Sequence, residues 1–125
     1  MKVYYDKDVK MDVLKGKTIA VIGYGIQGSA QARCLRDSGL NVIVGLRENG
    51  ASWKLAKKDG MKVAAIEDAA KKSDIIMMLT PDMTQRSIYR NYVEKNLEAG
   101  DALYFSHGFN ITYNLIKPPS NIDVI

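Results

Sequence analysis

The sequence lacks several features that would place it in a special class of protein. It has one cysteine in 125 residues, so no internal disulfide can form. No apolar run approaches the ~20 residues that cross a bilayer, and the first residues, MKVYYDKD, are too charged for a secretory signal. We therefore expect a cytoplasmic protein with no membrane partner. Cys34 falls where a helix would face a sheet, and we predict that it is a small core residue.

A basic segment rich in aromatic residues is also missing. The net charge is +4 and the pI is about 9.1, but the lysines stand in short groups, such as Lys57-Lys58 and Lys71-Lys72, with acidic residues nearby. This pattern is typical of a solvated surface, so no nucleic-acid partner is predicted. With 46% apolar residues, the chain has the size and composition of one packed domain over residues 1–125.

Buried-strand patterns alternate with helical spacing along this domain. Glycines just beyond the helical segments, such as Gly39 and Gly60, are typical of helix ends. The predicted strands are Thr18–Ile22, Asn41–Leu46, Lys62–Ala65, Asp74–Thr80 and Ala102–Ser106. Strands that alternate with helices predict an α/β fold with a Rossmann-type, doubly wound parallel sheet.

The helices between these strands are predicted from apolar spacing and from capping residues. In the first helix, Ala30, Cys34 and Leu35 are expected on the side that faces the sheet. The second helix is predicted over Ser52–Asp59, with Ser52 as its N-cap. The last long helix is predicted over Met83–Leu97.

The pattern breaks off at the C-terminus. After Pro118-Pro119, the residues Asp123–Ile125 begin another apolar strand. We therefore expect the sheet to be truncated at its C-terminal end and the dinucleotide-binding domain of residues 1–125 to be incomplete. An open sheet edge and exposed apolar surface favour self-association, which predicts a homo-oligomer.

Three glycines follow the first strand in the segment TIAVIGYGIQG, Thr18–Gly28. In a dinucleotide-binding fold, the first glycine permits a tight turn, the second lets the backbone approach a pyrophosphate, and the third lets the helix pack on the sheet. Gly23, Gly25 and Gly28 match these roles in order. The segment therefore predicts a phosphate-binding turn at a helix N-terminus.

The end of the second strand indicates which dinucleotide binds. An arginine there accommodates the 2′-phosphate of NADP, whereas an acidic residue holds the ribose 2′-hydroxyl of NAD. Arg47 is close to the expected position, and Ser52 adds a hydroxyl, so the sequence favours NADP. Glu48 keeps NAD open as the alternative.

His107 is the single histidine of the chain and follows the fifth predicted strand. That position is at the carboxyl edge of the sheet, where open α/β folds bind ligands. A lone histidine there has either a structural or a catalytic role.

These motifs together resemble the ketol-acid reductoisomerases, the acetohydroxyacid isomeroreductases of isoleucine and valine biosynthesis. A generic dinucleotide-binding sequence would share the glycines and little else. The resembling segments are YYDKD at Tyr4–Asp8, LKGKTIAVIGYGIQG at Leu14–Gly28, LRDSG at Leu35–Gly39, VGLRENGASW at Val44–Trp53, LTPD at Leu79–Asp82, EAGDAL at Glu98–Leu103 and SHGFNI at Ser106–Ile111.

The resemblance implies an oxidoreductase that uses NADPH and magnesium. Its small-molecule substrates would be 2-acetolactate or 2-aceto-2-hydroxybutyrate, which undergo alkyl migration and hydride reduction to dihydroxy acids. The magnesium ligands would belong to a helical C-terminal domain outside residues 1–125, so no metal ligand is expected in this chain.

The resemblance also implies roles for individual residues. His107 would act in the active site, and Arg47 and Ser52 would hold the 2′-phosphate. The phosphate turn would comprise Tyr24, Gly25, Ile26 and Gln27, together with Gly23 and Gly28. A loop beside the cofactor would comprise Asp82, Met83, Thr84 and Gln85.

Two other functions remain open from the sequence. One is an NADP-binding module derived from this family that catalyses nothing. The other is a different small-molecule dehydrogenase with the same kind of first domain, which would have to explain the LTPD and SHGFN segments together.

Overall fold

The computed structural model describes residues 1–125 and contains a six-stranded parallel sheet with helices on both faces. The strands are β1 Thr18–Ile22, β2 Asn41–Leu46, β3 Lys62–Ala65, β4 Ile75–Met78, β5 Ala102–Phe105 and β6 Asp123–Val124. The helices are α1 Ile26–Asp37, α2 Ala51–Lys58, α3 Ile66–Lys71, α4 Asp82–Ile88 and α5 Phe109–Thr112. The predicted fold class is confirmed.

The strand order is β3-β2-β1-β4-β5-β6, and every neighbouring pair is parallel. The chain runs outward from β1 to β3 and then crosses back to β4, so the order reverses between β1 and β4. In open α/β sheets a crevice opens at that reversal, outside the carboxyl ends of the strands. The end of β1, with its glycines, lies beside this crevice.

Each face of the sheet has its own hydrophobic core. Side chains alternate along β1, so Ala20 and Ile22 belong to one core and Ile19 and Val21 to the other. All four are at most 3% exposed. A central strand buried on both faces explains why its sequence reads as a continuous apolar run.

The prediction for the face of α1 was right for Leu35 and wrong for Ala30 and Cys34. The buried residues of α1 are Gly28 and Ala32, and Leu35 packs half-buried on the same core, whereas Ala30 and Cys34 are exposed. Residues 28, 32 and 35 follow the i, i+4, i+7 spacing of one helix face. Gly28 selects this face because it lies directly against the strand end, and Cys34 then points to solvent.

Other element ends also differ from the predictions. Helix α2 begins at Ala51 with Gly50 as its N-cap, so Ser52 lies inside the first turn and caps nothing. Strand β4 covers Ile75–Met78, which is shorter at both ends than the predicted Asp74–Thr80. The Asp74 carboxylate accepts a hydrogen bond from the Thr18 amide at 2.8 Å.

The predicted long helix after β4 is divided into three parts. Helix α4 ends at Ile88 and continues as a π-helical turn over Tyr89–Val93 and a 3-10 turn over Glu94–Asn96. Tyr89 and Val93 are both buried in the core that contains Ile22. A π-helical turn is a local interruption of the α-helical hydrogen-bond pattern. Here it begins and ends at a core residue.

The strand predicted at the C-terminus is present as β6, which pairs with β5 through Asp123 and Val124. It is two residues long and exposed. No helix of the structure combines the length and the apolar character that crossing a membrane requires.

Two buried tyrosines differ in how their hydroxyl groups are satisfied. The Tyr24 hydroxyl donates to Asp59 Oδ2 at 2.9 Å, whereas the Tyr89 hydroxyl is buried without a partner. Burial raises the pKa of both phenols to about 12, and the hydrogen bond to Asp59 adds to the effect at Tyr24. The same chemical group therefore stabilises the fold at one position and not at the other.

Removing the two hydroxyl groups should separate these effects. We expect Tyr24→Phe to lower the free energy of unfolding by about 0.5 to 1.5 kcal/mol, since a hydrogen bond is lost. Tyr89→Phe should be neutral or stabilising, since it removes a buried polar atom that has no partner. Urea unfolding of the two variants measures the difference, and an equal loss in both would contradict it.

Candidate dinucleotide-binding site

The turn after β1 is built by close backbone contacts. Gly23 has φ of +104°, and a Cβ atom there would lie 2.7 Å from the carbonyl oxygen of Leu79. A Cβ atom on Gly28 would overlap the carbonyl group of Gly23. Side chains are therefore excluded at both positions, and the first turn of α1 rests directly on the end of the sheet.

Gly25 lies in the same turn but faces open space. A Cβ atom there would meet no atom within 4 Å, and neighbouring Ile26 is 89% exposed. The absence of a side chain at Gly25 therefore does not serve packing within this chain. It leaves the backbone open to the approach of another molecule.

The N-terminus of α1 has free hydrogen-bond donors beside Gly25. The N-cap residue is Gly25 itself, which has no side chain to cap the helix. The backbone N–H groups of Ile26, Gln27 and Gly28 donate to no acceptor within the chain. Free N–H groups at the positive end of a helix dipole attract an anion such as a phosphate.

Tyr24 contributes its backbone rather than its side chain to this turn. The ring is 4% exposed and packs in the core on the α1 face of the sheet. Its hydroxyl donates to Asp59 at the C-terminal end of α2. The sequence pattern does not reveal this, because a tyrosine between two glycines is as compatible with an exposed side chain as with a buried one.

The turn after β2 presents a second group of polar atoms. Arg47 and Glu48 are exposed, and no ion pair within 4.0 Å involves either of them. Asn49 turns the chain with φ of +59°, which brings Ser52 into the first turn of α2. The Ser52 hydroxyl is half-buried and makes no hydrogen bond within the chain.

Residues 82–85 form a helix, as the helical spacing from Met83 onward predicted, and not the loop that the resemblance implied. They are the first turn of α4, in which Met83 is 84% exposed and Gln85 is 4% exposed. Thr84 turns its hydroxyl back to the Pro81 carbonyl at 2.8 Å. The amide of Gln85 points inward, so this side chain is used inside the fold. Pro81 and Asp82 are typical of a helix start, and this signal was available in the sequence.

His107 lies on the turn after β5 with 72% of its side chain exposed. Its Nδ1 atom accepts a hydrogen bond from the Phe109 amide at 3.3 Å and lies 3.5 Å from Asp82 Oδ2. An atom that accepts from an amide carries no proton, so the neutral ring has its proton on Nε2. The Nε2 atom is the one left free for a ligand.

Sequence reasoning missed a polar contact between α1 and the His107 turn. Gln31 donates to Ser106 Oγ and to Gln27 Oε1, both at 3.3 Å, and the Ser106 hydroxyl is 3.4 Å from that of Tyr104. The i, i+4 spacing of Gln27 and Gln31 is visible in the sequence. The proximity of Ser106 follows only from the sheet, which brings the ends of β1 and β5 to the same edge.

The carboxylates of the chain do not form a metal site. No group of three or more His, Cys, Asp or Glu side chains is close enough together to hold a metal ion.

A parallel sheet with this strand order, a glycine turn at the reversal point and a bare helix N-terminus defines a Rossmann dinucleotide-binding domain. Residues 13–125 match the family described as "Acetohydroxy acid isomeroreductase, NADPH-binding domain", and the chain belongs to that family.

Individual relatives agree with this assignment. The chain is 58% identical over 125 residues to "Ketol-acid reductoisomerase (NADP(+))" of Pyrococcus abyssi and 57% identical over 124 residues to that of Methanocaldococcus jannaschii. These matches cover 100% and 99% of this chain but 38% of each relative. The chain therefore spans about two fifths of the length of these relatives.

A solved structure shows the same fold. It is described as an "NADH-preferring ketol-acid reductoisomerase from an uncultured archean", with a TM-score of 0.93 and 49% sequence identity. The match covers 99% of this chain and 39% of that one. Preference between the two dinucleotides therefore varies among relatives of this chain.

Substitutions in the glycine turn should distinguish a glycine required for packing from a glycine that leaves the backbone accessible. We expect Gly28→Ala to lower the free energy of unfolding by about 1 to 3 kcal/mol, because the new methyl group meets the Gly23 carbonyl. Gly25→Ala should change it by less than about 1 kcal/mol, because the space is open. Equal losses in urea unfolding would show that Gly25 is also a packing position.

Proposed function

We propose that this chain is the cofactor-binding part of an NADP-dependent ketol-acid reductoisomerase. The whole enzyme would convert 2-acetolactate or 2-aceto-2-hydroxybutyrate to dihydroxy acids in branched-chain amino-acid biosynthesis. The observation that carries the proposal is the open backbone at Gly25 beside the free N–H groups of α1. Family membership supports the choice of reaction.

The pyrophosphate of the cofactor would bind at the turn from Gly23 to Gly28. The N–H groups of Ile26, Gln27 and Gly28 would donate to its oxygen atoms, and the dipole of the twelve-residue helix α1 would stabilise its charge. Gly25 would let the phosphate come within hydrogen-bond distance of the backbone. Tyr24 would contribute its main chain only, since its side chain is buried.

Selectivity for NADPH would come from the turn after β2. Arg47 has no carboxylate partner within 4.0 Å, so its guanidinium group is free to bind the 2′-phosphate, and the Ser52 hydroxyl would add a donor. Glu48 lies beside Arg47 and would repel a phosphate if it turned inward. We propose that Arg47 and Ser52 dominate and that NADPH binds more tightly than NADH.

The remaining proposed residues lie at the ends of β4 and β5. Asp82, Met83 and Thr84 would flank the cofactor with the exposed side of α4, and Gln85 would support them from inside the fold. His107 would act at the substrate through Nε2, either by transferring a proton or by polarising an oxygen atom. NADPH supplies the hydride when bound.

The magnesium ions of the whole enzyme would be held outside this chain. The carboxylates here do not converge, so we propose that the ligands belong to the part of the enzyme beyond residue 125, as a helical domain. Residues 1–125 would then be an incomplete functional unit. We assign no metal-dependent step to the residues described here.

Nucleotide titration tests the selectivity. Fluorescence titration of the purified chain should show tighter binding of NADPH than of NADH. Arg47→Gln should weaken NADPH binding by about 10- to 100-fold, because a charge-assisted contact of ~1.5 to 3 kcal/mol is lost, and should leave NADH binding nearly unchanged.

Arg90→Gln is the matched control for that titration. The substitution removes the same charge from an exposed residue on the π-helical turn, outside the turn after β2. Equal binding of the two nucleotides by the unaltered chain would show that Glu48 offsets Arg47. An equal loss of NADPH affinity in both arginine variants would show that the effect comes from the net charge of the chain and not from a contact with Arg47.

A turnover assay tests whether residues 1–125 alone can catalyse the reaction. We expect residues 1–125 alone to show negligible oxidation of NADPH in the presence of 2-acetolactate and magnesium, because the metal site is incomplete. Absorbance of NADPH measures this. Robust turnover by the pure chain would contradict the proposal, and NADPH binding without turnover in the full-length protein would favour a non-catalytic module.

We also propose that the protein forms homo-oligomers and is located in the cytoplasm. The exposed apolar residues at the two ends of the chain favour a homo-oligomer. They are Met1, Val3, Tyr4, Tyr5, Val9, Met11, Val13, Val124 and Ile125. Sedimentation velocity should show dimers or larger species at high concentration, and a monomer throughout would contradict this. An exposed thiol at Cys34 suits the reducing cytoplasm.

A further inference from the structure

The turn of α4 that contains Asp82 and the turn after β5 that contains His107 lie side by side, beyond the last paired residues of β4 and β5. The strand pairing ends at Met78 and Phe105. Past that point, every direct hydrogen bond between the two turns comes from one residue, Asn110. Asn110 lies in the first turn of α5 and is 1% exposed.

Both amide protons of Asn110 are used to join the turns. Its Nδ2 atom donates to the main-chain oxygen of Asp82 at 3.0 Å and to Gln85 Oε1 at 2.9 Å. The Nε2 atom of Gln85 in turn donates to the carbonyl oxygens of Met78 at 3.2 Å and Thr80 at 2.8 Å. Both amides must be oriented in this way because their nitrogen atoms face carbonyl oxygens.

The main chain of Asn110 is held as firmly as its side chain. Its carbonyl oxygen accepts from the amides of Leu115 at 2.9 Å and Ile116 at 3.1 Å, and Ile116 is 2% exposed in the core. Asn110 therefore connects the start of α4 directly, and the end of β4 through Gln85, to the segment that leads to the buried Ile116. The connection runs within three residues of His107.

The position of the imidazole depends on this connection. Nδ1 of His107 lies 3.5 Å from the Asp82 carboxylate on one turn and 3.3 Å from the Phe109 amide on the other. If the turns moved apart, the distance between the ring and the Asp82 carboxylate would change. If α5 shifted, the ring would lose the amide that selects its tautomer. The Asn110 bonds oppose both movements.

The arrangement is not the most stable one for a buried side chain. The Oδ1 atom of Asn110 is buried without a hydrogen-bond partner, which costs free energy that an apolar side chain would not. Local violations of this kind are typical of functional sites, where positioning takes precedence over stability.

We infer that Asn110 is a positioning residue that holds His107 and Asp82 in their relative geometry through the Gln85 amide and the first turn of α4. The inference rests on the proposed function for the importance of these two residues. Its geometry is a property of the chain without nucleotide. Asn110 itself touches neither cofactor nor substrate.

The test uses the fact that His107 is the single histidine of the chain. NMR of the ¹⁵N-labelled chain, above the ordinary titration range of histidine, should show one protonated ring nitrogen and one unprotonated ring nitrogen. Asn110→Asp replaces the donor with an oxygen atom that faces two carbonyl oxygens. The two ring signals should then converge as tautomers mix, and hydrogen exchange at the Phe109 amide should accelerate roughly tenfold.

Asn114→Asp is the matched control, because Asn114 is exposed and makes no side-chain hydrogen bond but receives the same added charge. Asn110→Ser retains one hydroxyl donor, so it should give a smaller change in the same direction if Asn110→Asp does not fold. Ring signals and Phe109 exchange that match the unaltered chain in a folded Asn110 variant would overturn the inference.

The same samples keep the two proposals apart. NADPH titration of the unaltered chain tests the proposed function, whereas the ring signals without nucleotide test the role of Asn110. Absence of NADPH binding with the expected ring signals would defeat the proposed function and leave the positioning role intact. NADPH binding with unchanged ring signals in Asn110→Asp would do the reverse.

Discussion

Helix α1 meets the sheet at a distance that only backbone atoms can reach. Gly28 lies against the carbonyl group of Gly23, and Gly23 lies against Leu79 and Thr80 at the end of β4. This contact joins β1, α1 and β4 at the point where the strand order reverses. It sets the direction of α1, and with it the direction of the free N–H groups and of the helix dipole. The backbone at Gly25 is accessible to a ligand, and the close contacts of Gly23 and Gly28 fix its position.

The candidate site is distributed over the carboxyl ends of four strands, and different forces hold each part. The glycine turn after β1 is held by steric packing, and the Arg47 turn after β2 by a left-handed residue at Asn49. The turns after β4 and β5 are held together by the amides of Gln85 and Asn110. Buried amides have strict requirements for direction, so they position neighbouring groups more specifically than apolar packing does.

Much of the architecture could be predicted from local patterns. The apolar runs located β1 and β2 correctly, because strands buried on both faces have nearly continuous apolar sequences. The half-buried edge strand β3 also has the bounds that its short run predicted. The glycine turn was predicted because its spacing has a direct steric meaning. The orientation of α1 was predicted wrongly, since Ala30 and Cys34 are as apolar as the residues that are buried. The closeness of Gly28 to the strand decided that orientation.

Long-range contacts explain what local patterns could not show at the site. Asn110 and Gln85 are 25 residues apart, and nothing in either segment indicates that one amide donates to the other. The same holds for Gln31 and Ser106, which are 75 residues apart. The resemblance implied a loop at residues 82–85, whereas the apolar spacing correctly predicted a helix from Met83. Family resemblance assigns a role to a position but not a conformation to its backbone.

By itself, the sequence determined the α/β class, the position of the glycine turn and the presence of Arg47, Ser52 and His107 after their strands. These features depend on neighbouring residues and on the short-range geometry of glycine, strands and helix ends. Only the tertiary structure decided which side chains face inward, why Tyr24 and Gln85 are buried, and how His107 is held. The physical reason is that a hydrogen bond or a buried contact depends on distance in space, and the order of the strands in the sheet determines which distant segments become neighbours.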